Sequence, residues 1–192
     1  GRISALLKPH PHLVSYQTIW REDKAVWIQL NYGGSLPLSK AMDIKTGESD
    51  ILKWIRQMGS ALKHMHDSGV IHADLKPDNV VLDLDRKSCM IVDLGCARTL
   101  VNPHLQSDDE GDSRYLAPET LNAKELTPAM DWYALGLILY QLDTSNTNLP
   151  TDGPTWHTLR STVHQLQLST PTLTALFHRL CHMNPLERSC SL

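Results

Sequence analysis

No apolar run in the 192 residues approaches the roughly 18 that a membrane-spanning helix requires. The most apolar stretch, ALGLILY from Ala134 to Tyr140, is far too short, so no membrane segment is expected within the chain. The opening residues, GRISALLKPH, lack the apolar core of a signal peptide, and there is no initiating Met. A strong charge excess is missing too. The formal net charge of -3 offers no electrostatic grounds for binding nucleic acid or an anionic membrane. The four cysteines, Cys89, Cys96, Cys181 and Cys190, form no CxxC pair and no dense framework. They read as reduced thiols of a protein in the nucleus or cytoplasm.

Ten histidines raise the question of a metal. His178 and His182 are four apart with Cys181 beside them, a spacing that can hold zinc. No second ligand pair stands at a recognised spacing, so a helix face ending in basic residues is the preferred reading. His10 and His12, and His64 and His66, are i,i+2 pairs, which on a helix point apart.

With 41% hydrophobic and 20% charged residues, the composition is that of one ordinary globular domain. LVSY and VWIQL, around a polar turn REDK (Arg21–Lys24), read as two short strands within Leu13–Tyr32. Gly33, Gly34, Ser35 and Pro37 break that pattern. From Asp50 to Ser68 the apolar residues Ile51, Leu52, Ile55, Met58, Leu62 and Met65 keep a helical period, with Gly69 as the stop. Val80–Leu82 and Cys89–Val92 read as a hairpin closed by DLDRK. Leu100–Gly111, with Asp108, Asp109 and Glu110, has no periodicity and reads as a long solvated acidic loop. Thr127-Pro128 and Thr170-Pro171 are helix starts. The first of these helices, running to about Tyr140, is apolar around much of its circumference and belongs in the core. The second carries Leu173, Leu176, Phe177 and Leu180 on one face. A short helix near Trp156 lies between them.

The chemistry gathers in IHADLKPDNVVLD, Ile71–Asp83. Two aspartates, a lysine and an asparagine between apolar runs are costly to hold there unless they have partners or a task. The HADLKPDN cluster is followed by VDLGCA (Val92–Ala97) and by YLAPE (Tyr115–Glu119). Taken singly, each could be a set of solvated loop charges. In this order and at these separations the three resemble the protein kinase superfamily.

The resemblance implies an α+β, protein kinase-like fold, mainly the helical large lobe with a remnant of the small-lobe sheet. Residues 1–32 would be that remnant and residues 33–192 the large lobe, its final helix truncated. It also implies ATP and Mg²⁺ as cofactors. Asp74, in the motif opened by His72, would orient a substrate hydroxyl and accept its proton. Lys76 would neutralise the transferring phosphoryl group, and Asn79 and Asp93 would hold Mg²⁺. Val81 would lie under the adenine ring, near contacts from Leu30 and Tyr32. Leu94 takes the position usually held by Phe, and Gly95 would let the backbone turn. Glu119 would pair with Arg188 and anchor the activation segment; the other reading of Arg188 is an exposed charge near a terminus. Asp131 would hold the catalytic-loop backbone, or simply be a helix-start acid favoured by the dipole.

Two departures narrow the family. Ala73 stands where most kinases place an arginine that receives an activation-loop phosphate, so a loop phosphate would lack its main cationic partner. Asp112 stands where a threonine is usual, and it is expected to pair with Lys76. Both departures, with EGDSRYLAPE, LPTDGPTWHTLR (Leu149–Arg160), HPHLVSYQTIW and IQLNYGGSL, resemble the Wee-type inhibitory kinases of cyclin-dependent kinases. Pro118 and Tyr115 point to their membrane-associated branch, whereas GDS points to the nuclear one. Membrane association would need an anchor from a segment outside these residues. The implied partner is a cyclin-dependent kinase, phosphorylated on an inhibitory tyrosine or also the adjacent threonine.

Neither a GxGxxG loop nor a VAIK-like strand occurs. The hinge between Tyr32 and Gly33 is about two residues shorter than in relatives. PLERSCSL stands where the motif P-x-x-R-P-S is familiar. The alternative to an enzyme is therefore a catalytically impaired, kinase-derived binding module. The 192-residue chain alone is expected to bind Mg-ATP weakly. A thermal-shift titration checks this, and saturation at micromolar nucleotide would contradict it.

Overall fold

The computed structural model describes residues 3, 5–42, 44, 46–85, 87–101, 111–123 and 125–189. Most of the acidic loop, including Asp108, Asp109 and Glu110, lies outside the described residues.

The helical period builds the body of the molecule. Helix α2 (Glu48–Asp67) starts with Glu48 and Asp50 in its first turn, where carboxylates meet the positive end of the dipole. It follows a single short turn, α1 (Leu38–Ala41). Ile51, Trp54, Ile55, Met58, Ala61, Leu62 and Met65 of α2 are all buried. The helix stops at Ser68, and Gly69 follows at φ +72, a left-handed backbone that glycine adopts freely. Helix α3 (Pro128–Thr144) has buried residues on every side. It runs past the expected end at Tyr140 to Ser145, which is left-handed at φ 54. It packs against both α2 and α5 (Pro171–Leu180), the latter capped by the Thr170 hydroxyl accepting from the Leu173 amide. Helix α4 (Gly153–Thr162) carries the buried Trp156 and Arg160.

Three small sheets complete the fold. Strand β3 (Leu36–Pro37) pairs with β5 (Val80–Asp83), and β5 with β6 (Ser88–Ile91), all antiparallel. Strand β4 (Val70–Ile71) pairs with β7 (Arg98–Thr99). The third sheet is a hairpin, β1 (Tyr16–Glu22) and β2 (Ala25–Leu30).

That hairpin differs from the predicted one. LVSY is not its first strand: Leu13 and Val14 are both buried, and they bond along β6, with Val14 N–H donating to the Ile91 carbonyl at 2.8 Å. A two-residue turn, Asp23-Lys24, sets Glu22 opposite Ala25 and fixes the pairing back to Thr18–Gln29, where a bulge shifts the register before Tyr16 meets Leu30. Ile19, Trp20, Val26, Trp27 and Ile28 are exposed on this ribbon, with Trp20 stacked on its cross-strand partner Trp27 at 6.2 Å. Two strands alone hold each other only marginally.

The zinc spacing dissolves in three dimensions. Helix α5 ends at Leu180, so His178 and His182 do not share it, and His178 Nε2 bonds the Leu166 carbonyl. Among the described residues no group of three or more His, Cys, Asp or Glu is arranged to hold a metal alone, and no helix is long and apolar enough to cross a membrane.

At Gly136, α3 lies close against the end of α5. A Cβ there would meet Cys181 Sγ at 2.4 Å and Leu180 Cβ at 3.0 Å. Gly136→Ala should therefore lose about 1–2 kcal/mol, because overpacking outweighs the roughly 1 kcal/mol gained in helix propensity. Urea denaturation checks this; an unchanged or raised midpoint would mean that the two helices part freely.

Candidate active site

Two loops are bracketed by the same two ladders. The first, residues 72–79, leaves β4 and enters β5; the second, residues 92–97, leaves β6 and enters β7. β4 pairs with β7 and β5 with β6, so both ends of each loop are fixed against the other. The Val92 amide donating to the Asn79 carbonyl at 2.8 Å extends the β5–β6 register one step further. Asn79 and the residue before Asp93 are thus joined directly.

Inside this frame Asp74 is the hub. Its Oδ2 accepts from Lys76 Nζ at 2.8 Å and from Asn79 Nδ2 at 3.0 Å. Asn79 Nδ2 also donates to the Asp74 carbonyl at 2.9 Å. The Asp74 Oδ1 accepts from the Asp112 amide at 2.9 Å, and the Asp74 amide donates to His72 Nδ1 at 3.3 Å. Partial burial works against the charge on Lys76, but the bond to Asp74, with Asp112 and Asp78 nearby, outweighs it and raises the lysine pKa.

The loop backbone is held from below by Asp131, which is 2% exposed at the start of α3. Its Oδ2 accepts from the His72 amide at 2.9 Å and from His66 Nε2 at 2.8 Å; its Oδ1 accepts from the Ala73 amide at 3.0 Å. Asp131 is therefore more than a helix-start acid. Burial would push its pKa up, but the His66 bond, the neighbouring histidines and the His72 amide bring it below the usual carboxylate value. His72 is fully buried, and burial lowers its pKa against the pull of Asp131 and Asp74. Its ring is then a neutral acceptor for the Asp74 amide. Ala73, between them, has φ 67, a left-handed conformation costing about 1 kcal/mol or more in a residue other than glycine.

In the second loop Asp93 is exposed and itself left-handed at φ 64, and its Oδ1 accepts from the Gly95 amide at 2.9 Å. The expected turn at Gly95 is thus made at Asp93, whose short polar side chain bonds its own backbone two residues on. Leu94 is buried. Asn79 and Asp93 are oxygen donors at one end of the hairpin. That chemistry suits Mg²⁺, which takes few carboxylates and completes its shell with water and phosphate oxygens.

Asp112 departs from expectation. It does not meet Lys76. Arg114 forks its carboxylate, Nε to Oδ1 at 2.9 Å and Nη2 to Oδ2 at 2.6 Å, and this bond chiefly lowers the Asp112 pKa. A planar guanidinium two residues away matches both oxygens, whereas Lys76 is already held by Asp74. Glu119 and Arg188 do meet: Nη1 to Oε1 is 2.5 Å and Nη2 to Oε2 is 2.9 Å. Arg188 is 5% exposed and also donates to the carbonyls of His182 and Ala129, so it is no surface charge.

The expected adenine contacts are less assembled. Val81 is half-buried opposite Met90. Leu30 is 45% and Tyr32 73% exposed. Their neighbours make the connection instead. A Cβ on Gly33 would meet Met90 Sδ at 2.4 Å, and one on Gly34, at φ +140, would meet the Leu82 carbonyl at 2.2 Å. The hinge backbone lies directly on β5 and β6 for want of side chains. Sequence reasoning gave no role to His66 or Arg114, nor to Trp156 and Arg160. Their i,i+4 spacing on one helix was the available signal.

The protein kinase domain model matches residues 2–191. The chain is 34% identical to Wee1-like protein kinase 2-A of Xenopus laevis over 96% of its own length and 37% of that protein's. It is 34% identical to the membrane-associated tyrosine- and threonine-specific cdc2-inhibitory kinase wee-1.3 of Caenorhabditis briggsae, over 81% of this chain and 24% of that one. To the Wee1-like protein kinase of Oryza sativa subsp. japonica it is 36% identical over 81% of its length. It therefore spans well under half of these relatives. The Cydia pomonella granulovirus kinase PK-1 shares the fold at a TM-score of 0.77 and 18% identity, over 97% of this chain and 74% of that one.

Asp131→Ala would strand the His72 and Ala73 amides beside a strained residue. We expect a loss of about 3–5 kcal/mol in urea denaturation, against less than about 1 kcal/mol for Lys63→Ala at the exposed Lys63–Asp67 pair. Equal losses would show that the Asp131 contacts do not carry the loop.

Proposed function

The chain belongs to the protein kinase family and resembles its Wee-type members. From that premise we propose that it phosphorylates a protein hydroxyl from ATP, and that its target is the inhibitory tyrosine of a cyclin-dependent kinase, with the adjacent threonine a second site in the membrane-associated branch. Such a protein restrains entry into mitosis. Residues 1–32 serve as a small-lobe remnant and 33–192 as the large lobe in this reading.

The observation that carries the proposal is the unequal loading of the two Asp74 oxygens. Oδ2 holds two donors, Lys76 and Asn79, while Oδ1 holds one, the Asp112 amide. One acceptor site on Oδ1 remains for an incoming hydroxyl. Held there, the hydroxyl is oriented for attack and can leave its proton on the carboxylate. Lys76, fixed beside Asp74, supplies positive charge where the phosphoryl group passes. Asn79 and Asp93 would hold Mg²⁺, which when bound offsets phosphate charge and orients the nucleotide. Val81, Leu30 and Tyr32 would flank the adenine. Glu119 and Arg188 tie the end of the activation segment to the helical core.

The uncovered hairpin favours a second reading, a module that captures a cyclin-dependent kinase without catalysis. One substitution separates them. Asp74→Asn in the whole polypeptide should cut phosphate transfer to a cyclin-dependent kinase at least about a thousandfold and leave capture of that kinase intact. Transfer at the wild-type rate would remove Asp74 from the mechanism. Capture without transfer by the wild type would leave the binding module.

A further inference from the structure

Arg160 is 1% exposed, yet among the described residues none of its polar partners is a carboxylate. Its guanidinium donates to main-chain carbonyls. Nη2 reaches Arg114 O at 2.9 Å and Ser113 O at 3.3 Å, Nε reaches Leu116 O at 3.1 Å, and Nη1 reaches Trp156 O at 3.4 Å. The cation lies over the Trp156 ring at 3.7 Å. Trp156 adds its own bond, from the indole N–H to Ser113 O at 2.8 Å. Burial lowers the Arg160 pKa to about 10, which still leaves it charged at neutral pH.

Three of these four carbonyls belong to residues 113–116, the segment directly after Asp112. The far side of the segment rests on the catalytic loop. The Asp112 amide holds Asp74 Oδ1, and Gly111 lies so close that a Cβ would meet the Ala73 carbonyl at 2.5 Å. Within it, the Asp112–Arg114 fork and the Tyr115 amide to the Asp112 carbonyl close a tight turn. A buried cation solvated, among the described residues, by carbonyl dipoles and one indole face makes any shift of those carbonyls expensive, because the charge would lose its partners in a dry place. The segment is thus gripped between α4 and the catalytic loop, on the side where Ala73 leaves no arginine for a phosphate.

We propose that Trp156 and Arg160 are positioning residues for phosphate transfer: from α4 they set the height of residues 112–116, and through the Asp112 amide they aim the Asp74 carboxylate. This rests on the kinase reading above for its consequence, but not for its geometry. The segment is then built into place by the fold, and does not await modification of the loop before it.

Trp156→Phe keeps an aromatic face and removes the indole N–H; Arg160→Lys keeps the charge and removes the fork. Hydrogen–deuterium exchange of the whole chain should show the amides of Asp112–Leu116 exchanging at least about fivefold faster in Trp156→Phe, and faster still in Arg160→Lys, while α3 and α5 exchange as before. In the phosphate-transfer assay, kcat should fall at least about tenfold with KM for Mg-ATP unchanged. Unchanged exchange at 112–116 would overturn the proposal. So would equal loosening of α3 and α5, or a loss seen only in KM for the nucleotide. Exchange is read without turnover, so a wild type that transfers no phosphate would sink the kinase reading and still leave the grip on the segment measured. Should Arg160→Lys fail to fold, Trp156→Phe decides alone.

Discussion

A single buried carboxylate holds the site in shape. Asp131 takes two successive backbone amides, His72 and Ala73, and a histidine from α2. Those contacts compensate an ion that burial would otherwise neutralise. They also stabilise the left-handed turn at Ala73, the residue directly before Asp74. Remove the carboxylate and neither the strain nor the two amides has a reason to persist. The most buried helix, α3, carries it, so the aim of Asp74 is referred directly to the core.

From that anchor the remaining geometry follows by pairing. The two short ladders, β4–β7 and β5–β6, leave the loops little room to slide. A register slip of one residue in β5–β6 would break the Val92 amide to Asn79 carbonyl bond that joins the two loops. Such short strands would be weak alone; Val70, Ile71, Val80, Leu82 and Ile91 are all buried, and the core holds the ladders in place.

The activation segment shows a different economy. It carries a partly buried ion pair at one end, Glu119–Arg188, and near the other a buried cation, Arg160, that meets no carboxylate among the described residues. Both guanidiniums also take main-chain carbonyls, so each fastens a stretch of backbone. The planar fork of arginine suits this task where lysine would offer a point charge. The hairpin at the other end of the chain is its opposite: exposed, lightly held and rich in tryptophan.

Much of this was legible in the residues. The 3.6-residue period located α2 and α5, because a helix that buries one face must repeat its apolar residues at that spacing, whereas α3, buried on every side, was marked by its Thr-Pro start and its apolar run. Thr-Pro pairs and Gly69 marked their ends, and the order HADLKPDN, DLG, APE marked the site. Local chemistry decides each of these, so neighbours in sequence suffice to predict them. Partnership across the chain was not legible. Asp112 had two cations within reach, and the competition went to Arg114 because Asp74 already occupied Lys76. His66 meets Asp131, and Arg160 meets Ser113, across gaps of 65 and 47 residues that no periodic signal spans. The sequence by itself determined the long helices, the β5–β6 hairpin and the order of the charged motifs offered for chemistry. Only the tertiary structure decided which charge answers which, since Coulomb and hydrogen-bond energies depend on distances of a few ångströms that exist only once the core has closed.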